Sequence, residues 1–319
     1  MRRGGSIANT IATARATLGE LARPETPATN GRSLGSAGSW QPEAVVRKPR
    51  LAPIAGPTDA GWAKKWAIVN NTVLALRGGD DKSTLKHLQQ LCYALDSIFD
   101  ELKSHNDERQ WVLSELVNVL PHLHISGQIA ACRQIVKLDH NSDAAVIAAR
   151  ALYQLSTDSR QDAAVFDSVD VLRTLIRCSG NGDVLVHTTG CLKHLSANEK
   201  YRNDIALLLQ DIVGLIQQPR GHQDTWPVQA LQIVTILRNV CDVAKEAVVE
   251  SVPFLCPLLK QFSHDSELVL VIARTLSKLS LDAKARAYFK MNPEALSWMF
   301  QAMKHCSSQN VCQIMMQTY

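Results

Sequence analysis

The sequence predicts an all-α chain, a solenoid of repeated helices behind a disordered basic tail, and three observations carry that prediction. Hydrophobic residues make up 46% of the 319 residues and aromatics only 5%. Such an aliphatic, alanine-rich composition suits closely packed helices better than a sandwich or barrel. From Trp62 onward the apolar spacing is helical nearly throughout. Finally, four segments end in almost the same phrase: AARALYQLS (148–156), TTGCLKHLS (188–196), TILRNVC (235–241) and IARTLSKLS (272–280). Their last residues, Ser156, Ser196, Cys241 and Ser280, are 40, 45 and 39 residues apart. Self-similarity at that period marks stacked helical units that share one core.

Residues 1–60 read as a disordered tail. They are rich in Gly, Pro, Ser, Ala and Thr and carry little periodic apolar content, too little to offset the entropy of ordering. Eight Arg/Lys face four acids there, so the tail holds the whole formal charge of +4 and the rest of the chain is balanced. Arg2, Arg3 and Arg15 with Ile7, Ile11 and Leu18 have the composition of a mitochondrial transit peptide. An ordinary basic terminus is the preferred reading, because bulky apolar residues are few.

Residues 61–81 form an N-terminal capping helix, and 82–319 hold about five repeats plus an incomplete sixth. Each unit reads as a short helix, a longer helix, a tight turn and a long helix. The turns supply Asn, Asp, Ser and Gly, which end one helix and cap the next (HNSD, SGNGD, HDS). A weaker first copy, QWVLSELVNVL, lies at 110–120. QQPRGHQDTWP (217–227), with two prolines and a glycine, is a surface loop that lengthens the fourth unit. Residues 283–305 supply two helices of a sixth unit, and 307–319 begin its third. A solenoid ending there leaves an apolar face uncapped, which predicts a fragment or truncated isoform of a longer protein.

The order and spacing of VLRTLIRCSGNGDVLVHTTGCLKHLSANEKYRNDI and DIVGLIQ resemble the consensus of armadillo repeats over roughly residues 82–319. The resemblance implies a right-handed superhelical solenoid; the two-helix HEAT repeat is the structural alternative. Within the family, phrases such as ARTLSKLS resemble ciliary members of the armadillo repeat-containing protein 2 type, which implies a role in assembling axonemal radial spokes. In armadillo proteins the third helix of each unit lines a concave groove. In the nuclear-import adaptors a Trp and an Asn four residues later form a ladder along it. Here the Trp slot holds Ser114, Arg150, Gly190, Thr235 and Arg274, and the Asn slot Asn118, Gln154, His194, Asn239 and Lys278. No Trp is present to clamp lysine stems, so nuclear-signal binding is not expected.

The candidate partner-binding residues are Asn118, Arg150, Gln154, His194, Asn239, Arg274 and Lys278. Spacing of i, i+4 sets each pair on one helix face. Amides can hydrogen-bond an extended backbone, and Arg and Lys favour acidic side chains. The expected partner is a protein segment, extended or helical, bearing acidic residues; the competing reading is that these are merely solvated helix positions.

Other chemistry is weak in the sequence. The balanced body gives no electrostatic reason for nucleic-acid binding, and no apolar run reaches a membrane span. The eight cysteines include no CxxC pair and read as reduced core residues of an intracellular, cytoplasmic or ciliary protein. His122 and His124 lack further ligands at helical spacing, so no metal is expected. Cys191 and His194 are i, i+3 neighbours, but Cys191 occupies a core slot. No catalytic residues, cofactor or enzymatic activity are expected.

Overall fold

Short polar side chains set the helix boundaries. The computed structural model describes residues 60–78, 81–220 and 223–305, all within one unit, Gly56–Tyr319. Apart from Ala60, the tail and its targeting-like start lie outside the described residues. So does 307–319, where a third helix of the sixth unit is expected. Among the described residues every regular element is a helix.

The helices are α1 Ala60–Gly78, α2 Asp81–Leu102, α3 Asn106–Val119, α4 Ile125–Leu138, α5 Asp143–Ser156, α6 Asp162–Phe166, α7 Val169–Cys178 and α8 Gly182–Ala197. There follow α9 Arg202–Ala206, α10 Leu209–Gln217, α11 Trp226–Val240, α12 Lys245–Val249, α13 Val252–Gln261, α14 Ser266–Leu279, α15 Ala283–Met291 and α16 Pro293–His305. The Ser142 hydroxyl accepts from the Ala145 N–H to cap α5. Asn181 accepts from Asp183 and Val184 to cap α8, and Asp265 from Glu267 and Leu268 to cap α14.

The short–longer–long grammar holds over 162–279, as α6–α7–α8, α9–α10–α11 and α12–α13–α14. Residues 81–156 differ, being two helix pairs, α2/α3 and α4/α5. α2 runs through 22 residues without Gly or Pro to break it. Between α3 and α4 only residues 120–124 intervene, and Pro121 sits there in a 3-10 turn, Leu120–His122. That leaves no room for a separate first helix.

Units join through like helices. α3 contacts α5, and α5 packs on α8, α8 on α11 and α11 on α14; a second series runs α2 on α4, α4 on α7 and α7 on α10. The core between them is aliphatic, with Leu152, Leu185, Leu192, Ile233, Leu237 and Leu276 fully buried. Surface ion pairs repeat along the second series. Lys137 meets Asp96 at 2.6 Å, Arg133 meets Asp170 at 3.3 Å and Arg177 meets Asp211 at 2.9 Å. These partly exposed pairs fix register more than they add stability.

The loop between α10 and α11 also braces its neighbour. One guanidinium nitrogen of Arg220 donates to the carbonyls of Ile176 at 3.2 Å and Arg177 at 2.9 Å, and lies 3.5 Å from that of Ser179. A cation there satisfies orphan carbonyls at the C-terminus of α7. Arg220→Ala is expected to lower stability by about 1–3 kcal/mol in urea unfolding, with Arg220→Lys recovering only part.

Candidate partner-binding face

The aligned slots all fall on the third helices that stack on one another: Ser114 and Asn118 on α3, Arg150 and Gln154 on α5, Gly190 and His194 on α8, Thr235 and Asn239 on α11, Arg274 and Lys278 on α14. The side chains there divide into two groups.

The first group ties one unit to the next. The Ser156 hydroxyl donates to its own Tyr153 carbonyl at 2.7 Å and lies 3.2 Å from His194 Nδ1. With the hydroxyl proton spent, this contact needs the tautomer in which His194 Nδ1–H donates to Ser156. One unit on, the Ser196 hydroxyl donates to the Lys193 carbonyl at 2.8 Å and accepts from Asn239 Nδ2 at 3.0 Å. In the next unit Cys241 replaces the serine, and Lys278 Nζ instead reaches the adjacent Asp242 carboxylate at 2.8 Å. His194, Asn239 and Lys278 are thus inter-unit rungs. The terminal Ser of the preceding phrase is what His194 and Asn239 bind, and the Asp242 carboxylate takes that place for Lys278.

The second group is free of such duty. Arg150, Gln154, Arg274 and Asn118 are exposed, and their side chains make no hydrogen bond or ion pair among the described residues. Arg150 lies close enough to His187 to oppose its protonation.

The centre of the face is a packed aromatic contact that the sequence did not disclose. The Tyr153 ring from α5 stacks on His194, centroids 5.2 Å apart, and lies tilted against His187 at 5.7 Å. It crosses α8 over Gly190, where a Cβ would stand 2.7 Å from Tyr153 Cε2 and 2.9 Å from Gln232 Nε2. Gly190 therefore fills its slot because two side chains from neighbouring helices converge on its backbone. Beneath it, buried Thr189 donates to Gln232 Oε1 of α11 at 2.6 Å.

Burial depresses the His187 pKa, with nearby Arg150 adding to the effect and Asp183 opposing it. Burial and then Lys193 depress that of His194, against Asp162 and the Ser156 backbone. Both rings are held neutral relative to the unfolded chain, whose histidines titrate near 6.5. As pH falls below that value the unfolded state takes up protons first, so stability is full above pH 6.5 and declines below it. The expected result is a fall in urea midpoint across that window, flattened in a His187→Gln/His194→Gln variant.

Cys191 donates from Sγ to the Leu152 carbonyl at 3.7 Å, and burial pushes its pKa up to about 12. It stays a protonated core thiol at neutral pH, with His194 turned toward Ser156 and Tyr153 rather than available as its base. Among the described residues no cluster of His, Cys, Asp or Glu could hold a metal ion. Nor is any described helix long and apolar enough to cross a membrane.

The aligned slots thus offer Arg150, Arg274, Gln154 and Asn118 as exposed side chains on α5, α14 and α3, with the Tyr153–His194 stack between α5 and α8. No protein-family model matches the chain, and no curated protein matches it.

Proposed function

We propose that the chain is a non-catalytic scaffold or adaptor of armadillo type, in which the third helices of successive units form one continuous groove that holds an acidic segment of a partner protein. The observation that supports this reading is the periodic bonding of slot residues, Ser156 to His194, Ser196 to Asn239 and Asp242 to Lys278. It aligns the third helices unit by unit and leaves Arg150, Gln154 and Arg274 open beside them. Two arginines on helices three units apart suit carboxylates spaced along an extended or helical segment. The finer setting, assembly of axonemal radial spokes, rests on the resemblance to ciliary armadillo proteins.

The test is affinity capture from ciliated cells with the full chain and an Arg150→Glu/Arg274→Glu variant. Both arginines are exposed, so the variant should keep its helical circular dichroism and lose about tenfold or more of its specific partners, consistent with two lost charge-assisted contacts. Equal capture by the two proteins would remove the groove assignment. Radial-spoke proteins missing from the captured set would remove the ciliary one.

A further inference from the structure

We propose that the groove between α1 and α2 is a second docking site, using none of the third-helix residues, and that its occupant is an acidic amphipathic helix of another protein. The groove has a volume of about 700 Å³ and runs along α2 from Lys86 to Ser97. At about 1.5 Å per residue that is roughly three helical turns. Its apolar surface is unusually open to solvent: Tyr93 is 80% exposed and Ile68 54% exposed. Ala94 also lines it.

Beside these apolar groups the groove is lined by Gln89, Gln90, Thr72 and Ser97. The Thr72 hydroxyl donates to the Ile68 carbonyl and the Ser97 hydroxyl to the Ala94 carbonyl, each at 2.7 Å. Each hydroxyl proton is thus spent on its own helix, which leaves both groups only as acceptors toward the groove. An exposed tyrosine beside aliphatic carbon is the usual composition of a binding hot spot. A helix laid in such a groove presents apolar residues at i, i+3 or i+4, and i+7.

Charge selects the occupant. Lys65 and Lys86 line the groove and no carboxylate does. Lys65 is already paired with Glu101, whereas Lys86 makes no hydrogen bond or ion pair among the described residues. An acidic residue on the incoming helix would complete it. A second copy of this chain fits poorly, because a two-fold contact would bring Lys86 toward its own equivalent.

Two fluorescent amphipathic peptides of about 14 residues, enough for four turns, test the proposal against the full chain by anisotropy. They share one leucine face and differ only in Glu or Lys flanks. The Glu peptide should bind about tenfold more tightly, an effect of the order of one desolvated ion pair. Tyr93→Ser and Ile68→Ser should each weaken it several-fold, and Lys86→Glu should reverse the preference. These side chains are exposed, so circular dichroism should not change. Binding must also survive in the Arg150→Glu/Arg274→Glu variant, which separates this site from the third-helix groove. Equal affinity for the two peptides, no binding, or indifference to Tyr93→Ser would overturn the proposal. So would concentration-dependent dimerisation in sedimentation that Tyr93→Ser abolishes, since that assigns the groove to a second copy.

Discussion

Replacing Gly190 with valine should destabilise the fold by roughly 2–4 kcal/mol. Glycine in the middle of α8 costs helix propensity, and on an isolated helix any substitution but proline would be an improvement of up to about 1 kcal/mol. Here the sign reverses. The new Cβ would meet Tyr153 Cε2 at 2.7 Å and Gln232 Nε2 at 2.9 Å. The tyrosine ring cannot swing away without leaving its stack on His194. The Gln232 amide cannot leave without breaking its bond to buried Thr189. A branched side chain also has a single favoured rotamer in a helix, which removes the remaining escape. Tyr153→Ala in the Gly190→Val background should recover 1 kcal/mol or more, of the order of a contact pair's coupling. Additive effects of the two changes in urea unfolding would show that the ring does not rest on Gly190.

The other large effect is expected at Leu192, fully buried on α8. Leu192→Ala should cost about 2–5 kcal/mol, the usual transfer term plus the cavity left behind. That is a large part of the marginal stability of most domains. Its reach should be local. α8 packs on α5 and α11, and α14 is met through α11. In an array where each unit touches mainly its neighbours, destabilisation spreads through shared interfaces and weakens with distance. Hydrogen exchange should therefore lose protection first in α5, α8 and α11 and later in α14. Simultaneous loss in all four helices would point to a single undivided core.

Much of the helical order was legible from spacing. Asn, Asp and Ser at the breaks are the residues that cap helices, and Ser142, Asn181 and Asp265 do so. The period of forty was legible because the apolar phrases repeat. The helix-pair form of 81–156 was less so, because a missing first helix is marked only by a short connection and by uninterrupted spacing in α2. Of the candidate face, the placement of the slots on α3, α5, α8, α11 and α14 followed from alignment. What the slot residues do did not. His194, Asn239 and Lys278 look like free polar groups in one dimension, and their partners stand 38, 43 and 36 residues away. The recurring terminal serine was the available signal, since a hydroxyl repeated at the end of an apolar phrase needs a partner. Tyr153 over Gly190 left no such trace, because only the approach of α5 to α8 makes the glycine necessary.

Measuring the separation of the third helices at the two ends of the series tests the central claim most directly. Spin labels introduced as non-canonical residues at Ser114 on α3 and Arg274 on α14 leave the native cysteines untouched. If α3, α5, α8, α11 and α14 stack in sequence, four helix-to-helix steps of about 8–10 Å give a dipolar distance of roughly 30–40 Å. A narrow distribution in that range is the expected result. A distance below about 20 Å, two steps or fewer, would mean that the first and last helices fold back on each other, and no continuous groove for a partner chain would exist.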